Sequence, residues 1–195
     1  GHVFAPPGGV TDDPGAAAKI HIYVASKAPW FTITDELRQF DVFPKGEGPS
    51  SITAGTFEVG SPQPHGSCMC GEVCFELTGP ITAARFCHCS RCRRGRAATH
   101  AANAYAEQGS VRFLKGEEMI RTFKLPAAQF FAQAFCARCG SVAPRADPSR
   151  GIAVIPFGAF DGDPGVAPAA HIFVGSKCPW HEITDDLPQY DAAPM

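Results

Sequence analysis

The chain has 195 residues, 45% of them hydrophobic, and a formal net charge of −2. A chain of this size and composition folds into one domain with a core, or one domain with an appendage, and does not stay disordered. The nearly neutral charge argues against a strongly basic nucleic-acid binder or a polybasic membrane protein. No apolar run approaches the roughly 20 residues that cross a bilayer, and the first residues do not resemble a secretory signal peptide.

The N-terminal part of the sequence resembles its C-terminal part. Residues 1–45 match residues 151–195 at a constant offset of 150, without a gap. The clearest match joins HIYVASKAPW at 21–30 to HIFVGSKCPW at 171–180. So many ungapped identities predict an internal repeat, in which residues 1–45 are a partial copy of the C-terminal part of the domain. Because this copy contains no cysteine, we expect an appendage without catalytic residues.

A glycine- and proline-rich stretch, residues 46–64, follows the partial copy and is predicted to be a linker. The complete domain is then expected at residues 65–195. That domain already holds its own version of the repeated segment. The extra copy must therefore cover a different surface, pair with an edge strand or swap between chains, and a swap would produce a homodimer.

Short alternating segments between turn residues dominate the rest of the sequence. In residues 72–77, the side chains of Val73, Phe75 and Leu77 share one face of a predicted strand. Three further segments are predicted to be strands, at 111–114, 120–123 and 152–155. Glycine (20 residues) and proline (18 residues) are frequent, which favours short strands and turns over long helices. The sequence therefore predicts a mostly β fold.

Nine cysteines carry most of the functional information. An odd number without a secretory signal disfavours a disulfide framework, and it predicts a cytoplasmic protein whose cysteines bind metal. Cys68 and Cys70 form one close pair, and Cys136 and Cys139 form a C-x-x-C pair followed by glycine. Zinc prefers four tetrahedral ligands, and one pair cannot close a site. We therefore expect the two pairs to meet around a structural zinc ion.

A third cluster contains Cys87, Cys89 and Cys92 in the pattern C-x-C-x-x-C. Three protein ligands and one vacant position are typical of a catalytic zinc, so a second ion is predicted there. His88 and His100 are alternative ligands, although His88 would point away from both neighbouring cysteines in an extended strand. The alternative without metal is a group of free buried thiols.

Arginines at positions 91, 93, 94 and 96 accompany the third cluster. The guanidinium group binds carboxylates through two parallel hydrogen bonds, which makes Arg91, Arg93 and Arg94 candidate substrate-binding residues. A solvated basic face and a nucleic-acid patch are the alternative interpretations, and the overall charge disfavours the second.

Several residues outside these motifs are predicted to be structural. Cys74 and Cys178 fit no cluster and are interpreted as ordinary thiols. His171, Trp180 and Asp185 all recur in the partial copy, which lacks the cysteines. Recurrence without the predicted metal ligands favours structural roles for these three residues, with Trp180 in core packing and Asp185 as the cap of a short helical turn.

Three motifs together resemble one protein family. The segments GSCMCGEV (66–73), CHCSRCRR (87–94) and FCARCGS (135–141) are similar, in order and spacing, to motifs of the glutathione-dependent formaldehyde-activating (GFA) family, which includes centromere protein V. Residues 171–185 are similar to the C-terminal pattern of that family. The resemblance covers roughly residues 65–195.

This resemblance implies a β-rich fold of packed antiparallel sheets, of the type called a β-tent, with few short helices. It also implies a structural zinc at Cys68, Cys70, Cys136 and Cys139 and a catalytic zinc at Cys87, Cys89 and Cys92. The implied activity is that of a carbon–sulfur lyase or synthase, which combines formaldehyde with glutathione to form S-hydroxymethylglutathione. The expected partners are thus a small thiol and an aldehyde. The alternative is a non-enzymatic zinc scaffold that binds another macromolecule.

Overall fold

The computed structural model of the chain describes residues 5–10, 12–44 and 61–194. Most of the predicted linker, residues 46–60, lies outside this part of the chain. The strands of the described residues are β1 (Ile20–His21), β2 (Arg38–Gln39), β3 (His65–Ser67), β4 (Cys74–Leu77), β5 (Ile81–Cys87), β6 (Ala101–Glu107), β7 (Val111–Lys115), β8 (Ile120–Lys124), β9 (Ala132–Cys136), β10 (Val142–Ala143), β11 (Arg145–Asp147), β12 (Ile152–Pro156), β13 (His171–Ile172) and β14 (Gln189–Tyr190).

Helical structure in the same residues is sparse. It consists of one α-helix, α1 (Ser90–Arg96), and of 3-10 turns at Pro7–Gly9, Val24–Ser26, Glu117–Met119, Phe157–Ala159 and Val174–Ser176. This confirms the prediction of a mostly β fold with few short helices. No helix of the described ranges is long and apolar enough to cross a membrane.

The largest sheet has six strands in the order β11-β12-β6-β5-β13-β14. Its first four strands are antiparallel neighbours, whereas β13 runs parallel to both β5 and β14. Two three-stranded antiparallel sheets, β3-β4-β7 and β10-β9-β8, accompany it. The packed antiparallel sheets implied by the resemblance are therefore present, with two short parallel pairings added at one edge.

Alternation along β5 gives the six-stranded sheet two different faces. Arg85 and Cys87 line a cavity on one face, while Ala84 belongs to the core and Phe86 packs against histidine rings on the other. Successive side chains of a strand point to opposite faces. Next along the chain, the His88 side chain contacts those same histidines. One strand therefore supplies a cavity wall and a buried histidine from adjacent positions.

The main core packs small side chains of the six-stranded sheet against aromatic rings. The small side chains are alanines of β5, β6 and β12. The large side chains of this core are Phe75, Leu77, Ile155 and Phe157. Phe75 and Phe157 are almost completely buried. Burying a large apolar side chain stabilises the fold by roughly 1.5–3 kcal/mol, so this cluster fixes how β3-β4-β7 meets the larger sheet.

The four predicted strands all occur, within a few residues of their predicted ends, as β4, β7, β8 and β12. One detail differs. Phe75 and Leu77 enter the main core, but Val73 packs in a second cluster with Cys68 and Cys136. The register of β4 against β7 shifts between Cys74 and Phe75. Because of this irregularity, the apolar residues of one segment serve two separate clusters.

The two similar segments of the chain adopt the same local structure. β1 pairs with β2 in parallel, as β13 pairs with β14, and Tyr23 and Phe173 both have a left-handed backbone with φ of 58° and 56°. Their surroundings differ, because β13 also joins β5 whereas β1 and β2 form a sheet of their own. The domain boundaries at residues 45 and 65 stay predictions.

The N-terminal segment is held against the larger unit by aromatic contacts. The Trp30 ring meets Phe157 edge-on, with ring centroids 4.9 Å apart, and Phe31 approaches Phe86 at 6.4 Å. At the tip of the segment, the hydroxyl oxygens of Thr34 and its counterpart Thr184 are 2.5 Å apart. Trp30 and Phe31 thus lie on the face of the six-stranded sheet opposite the cavity.

Candidate functional site

Four cysteines from two distant turns form the first thiol cluster. Cys68 and Cys70 lie in the turn between β3 and β4, whereas Cys136 is the last residue of β9 and Cys139 lies in the turn between β9 and β10. Their sulfur atoms all lie within 4.8 Å of one another, with 3.5 Å from Cys68 Sγ to Cys70 Sγ and 3.9 Å from Cys70 Sγ to Cys136 Sγ. A tetrahedral zinc with bonds of about 2.3 Å places its sulfurs about 3.8 Å apart. The four thiols therefore fit a closed zinc site.

Hydrogen bonds fix the two turns around the first cluster. The backbone N–H of Val73 donates to Cys68 Sγ at 3.3 Å, and Met69 N–H donates to the Ser141 hydroxyl at 3.1 Å. Ser141 also contacts Cys139 Sγ at 3.3 Å. Burial raises the pKa of Cys139, but hydrogen bonds with Ser141 and Cys70 outweigh burial and lower that pKa to about 6. The hydrogen bonds in these turns therefore favour the thiolate form of Cys139.

Three cysteines around the start of α1 form the second thiol cluster. Cys87 ends β5, Cys89 is the N-cap residue of α1 and Cys92 lies in the first helical turn. The backbone N–H of Cys92 donates to Cys89 Sγ at 3.3 Å, which is a capping bond made by a thiol. The three sulfurs lie within 4.8 Å of one another, and no histidine of the described ranges is grouped with them.

The second cluster favours a single negative charge when only protons are bound. Hydrogen bonds from Cys87 and Cys92 lower the pKa of Cys89 to about 2. The two donors are affected in the opposite direction. The Cys89 side chain raises the pKa of Cys87 to about 12, and the Cys87 side chain raises the pKa of Cys92. Three thiolates so close together require a cation, and this donor set suits zinc.

The second cluster opens onto a cavity of about 660 Å³ between the six-stranded sheet and β8-β9-β10. This volume is typical of a small-molecule pocket. Among the described residues that line the cavity, none is an aspartate or glutamate and five are arginines, namely Arg85, Arg91, Arg96, Arg145 and Arg150. An anionic ligand is therefore electrostatically favoured.

The arginines differ in how they are held. Arg96 donates to Gln133 Oε1 at 2.9 Å, and Arg145 and Arg150 both pair with Asp147, at 3.5 and 2.7 Å. Among the described residues, no side-chain hydrogen bond engages Arg85 or Arg91. Arg85 lies two residues before the second thiol cluster and Arg91 lies within it, between Cys89 and Cys92. These two guanidinium groups are the freest to meet a ligand.

The arginines named from the sequence are not all on the cavity. Arg91 lines it, whereas Arg93 is buried, 8% exposed, and Arg94 is absent from the described lining. The Arg93 charge acts on Cys178, whose pKa is raised by burial and lowered to a smaller degree by that charge. Sequence analysis missed Arg85. The available signal was alternation, since Arg85 lies two residues before Cys87 and shares its face.

The histidines considered as alternative zinc ligands lie elsewhere. His88 and His100 group with His181, on the face of the six-stranded sheet opposite the thiols. His88 is completely buried, and burial lowers its pKa to about 3. Sequence analysis gave His181 no role, because nothing local in its segment marks it. Of the residues predicted to be structural, His171 bonds to Asp185 with 3.0 Å between His171 Nε2 and Oδ1.

Comparison with known proteins identifies related sequence over more than half of the chain. Residues 63–176 match the family described as glutathione-dependent formaldehyde-activating enzyme. No curated protein sequence matches the chain. A crystal structure of a Rhodobacter sphaeroides protein, a Northeast Structural Genomics target, is 27% identical with a TM-score of 0.42, and the alignment covers 53% of this chain and 97% of that one. The family match includes all seven cysteines of the two thiol clusters and ends before His181.

Proposed function

The chain belongs to the glutathione-dependent formaldehyde-activating enzyme family, and we propose that it is a zinc-dependent carbon–sulfur lyase or synthase acting on thiol–aldehyde adducts. Formation of S-hydroxymethylglutathione is the first candidate reaction. The observation that carries the proposal is the second thiol cluster, which opens onto a cavity lined by arginines and free of carboxylates among its described residues.

The two thiol clusters divide the metal roles. Cys68, Cys70, Cys136 and Cys139 supply four ligands and would hold a structural zinc, which needs no further partner. Cys87, Cys89 and Cys92 supply three and would hold the second ion with one position for a ligand. A zinc ion in the second set supplies Lewis acidity and lowers the pKa of a thiol ligand.

The cavity residues would recognise the carboxylates of the thiol substrate. Glutathione carries two carboxylates, and arginine binds a carboxylate through two parallel hydrogen bonds. Arg85 and Arg91 are the best placed, because each is near the second thiol cluster and neither is engaged by another side chain of the described ranges. Arg96 is fixed by Gln133 and adds positive charge at the cavity wall.

Tyr105 is the candidate group for the aldehyde oxygen. It lines the cavity, and burial raises its pKa to about 12, so its hydroxyl remains protonated at neutral pH. In the reaction, a carbon–sulfur bond forms, the carbonyl double bond becomes a single bond and the thiol proton ends on oxygen. The Tyr105 hydroxyl would donate a hydrogen bond to that oxygen as its negative charge develops. Tyr105→Phe should then slow turnover and leave thiol binding intact.

The test is calorimetric titration of the zinc-loaded chain with glutathione and with its formaldehyde adduct. Binding is expected for the wild type and is expected to be lost in Cys89→Ser. Thiols add to formaldehyde readily without a catalyst, so a modest rate increase would be poor support, and binding is the sharper readout. A wild type that binds neither ligand rejects glutathione as the substrate. Failure across a panel of other thiols would favour the scaffold function instead.

A further inference from the structure

We propose a third metal site, formed by the imidazoles of His88, His100 and His181, which takes a divalent first-row transition metal such as Zn²⁺ or Co²⁺. This site is independent of the proposed activity. It lies on the face of the six-stranded sheet opposite the cavity, and His181 is outside the range that matches the family.

The three rings converge from separate parts of the chain. His88 follows β5, His100 directly precedes β6 and His181 lies in the turn beyond β13. Each offers a ring nitrogen, and these nitrogens lie within 4.8 Å of one another. The ring centroids are 5.2 Å apart for His88 and His100, 5.8 Å for His88 and His181, and 5.6 Å for His100 and His181. Each ring is therefore adjacent to the other two.

One buried atom in this cluster has no protein partner. His88 is fully buried, and its Nδ1 makes no hydrogen bond to any described residue. An unpartnered buried polar atom costs roughly 1–3 kcal/mol, so a native structure usually satisfies it. Nδ1 is the ring nitrogen left over on His88, since Nε2 already bonds to His171. A metal ion between the three rings would satisfy it.

A hydrogen-bonded chain sets the tautomer that a metal requires. His171 Nε2 lies 3.0 Å from both carboxylate oxygens of Asp185 and donates its proton there. His171 Nδ1 then accepts from His88 Nε2–H, at 2.8 Å. The lone pair of His88 is consequently on Nδ1. A carboxylate that orients and polarises a histidine ligand is the common outer-shell arrangement of metal sites, and here it acts through one intervening imidazole.

The partial copy provides an internal comparison. It keeps the histidine–carboxylate pair, with His21 Nε2 2.9 Å from Asp35 Oδ1, but it has Phe31 at the position equivalent to His181. The histidine–carboxylate pair thus occurs in both segments, whereas the third histidine, His181, occurs in the C-terminal segment only. The presence of the pair is therefore not by itself an argument for a metal site. Phe31 packs near Phe86, which in turn contacts His100 with ring centroids 4.8 Å apart. The N-terminal segment therefore approaches the third site through Phe86.

The ligand chemistry distinguishes this site from the thiol clusters. Neutral imidazoles suit Zn²⁺, Co²⁺ and Ni²⁺, and a set of three nitrogens leaves room for water. The thiol clusters supply soft, negatively charged sulfur and should retain zinc more firmly. The third site should therefore lose its metal first when a weak chelator is applied.

The first experiment measures metal stoichiometry of the full chain by native mass spectrometry in excess zinc. His181→Phe is the decisive variant, because phenylalanine is tolerated at the equivalent position of the partial copy. It should bind one zinc ion fewer than the wild type. The control is His65→Gln, which removes a histidine outside the cluster and should leave the count unchanged. Equal zinc counts in the wild type and His181→Phe would overturn the proposal.

The second experiment uses the wild-type chain and does not depend on a variant. A weak chelator first removes metal from the third site and leaves the thiol clusters filled with zinc, and Co²⁺ is then added. X-ray absorption at the cobalt edge should show nitrogen and oxygen neighbours only. Sulfur in the cobalt shell, or no uptake of cobalt, would show that His88, His100 and His181 form no metal site.

Discussion

The two thiol clusters place the same side chain in different surroundings, and this difference supports our proposal that they have different roles. The first joins the start of the predicted domain to its middle and packs with Val73 and other apolar side chains. The second lies at one strand–helix junction and faces a cavity with five arginines in its described lining. A metal at the first would connect distant segments, whereas a metal at the second would meet a ligand. We therefore base the proposed division on ligand number and position in the fold, and not on the cysteine motif alone.

The largest expected effect comes from Cys136→Ser, which breaks the first cluster. Zinc binding in small structural sites is worth about 10–16 kcal/mol, comparable with the whole stability of a domain, about 5–15 kcal/mol. Loss of one of four thiolates should therefore lower the free energy of unfolding by several kcal/mol. Denaturant unfolding followed by circular dichroism measures this change. Cys178→Ala is the matched control, since it removes a buried thiol outside the clusters and has an alanine equivalent, Ala28.

Cys89→Ser should leave the fold intact, because the second cluster ties together only residues near one junction. We expect a loss of less than about 2 kcal/mol of stability, within the usual range for one substitution. Zinc content should fall by one ion, and glutathione binding should disappear. If Cys89→Ser and Cys136→Ser lose equal thermal stability, the division of the two clusters into structural and catalytic sites is wrong.

A smaller effect is expected from Arg85→Gln, which tests the cavity without changing a cysteine. A hydrogen bond to a charged group contributes about 1.5–3 kcal/mol, so affinity for glutathione should fall roughly 10- to 100-fold. Zinc content should not change. Calorimetric titration measures this affinity, with Arg121→Gln as the control, because Arg121 is exposed and donates to the backbone carbonyls of Glu118 and Ile120. A normal affinity in Arg85→Gln would remove Arg85 from the recognition site.

The smallest effect on the thiol clusters is expected from deletion of residues 1–48. This segment covers Phe157 and approaches Phe86, but it contributes no cysteine. Zinc in both thiol clusters should be retained, while solubility or oligomeric state changes as apolar surface is exposed. Zinc analysis with size-exclusion chromatography measures both properties. Loss of all zinc on deletion would show that the predicted domain boundary is wrong.

The sequence predicts features that depend on local spacing better than those that depend on strand order. The cysteine pairs were recognisable because the spacing of such a pair is encoded within a few residues. The direction of His88 followed from alternation alone and agrees with the structure, where its ring lies away from the thiols. Arg145 and Arg150 gave no such signal, because they reach the cavity only through the pairing of β11 with β12 and β6. The parallel pairing of β13 with β5, which brings His171 next to His88, was likewise not predictable.

Cadmium-113 NMR of the full chain loaded with Cd²⁺ tests the central claim most directly, because cadmium replaces zinc in thiolate sites and its resonance moves to higher frequency with each added sulfur ligand. Two sulfur-ligated signals are expected, one absent in Cys89→Ser. Glutathione should shift that signal alone towards the position of the four-sulfur site. A shift of the other signal, or of neither, would contradict the assignment of the second thiol cluster as the substrate-binding metal site.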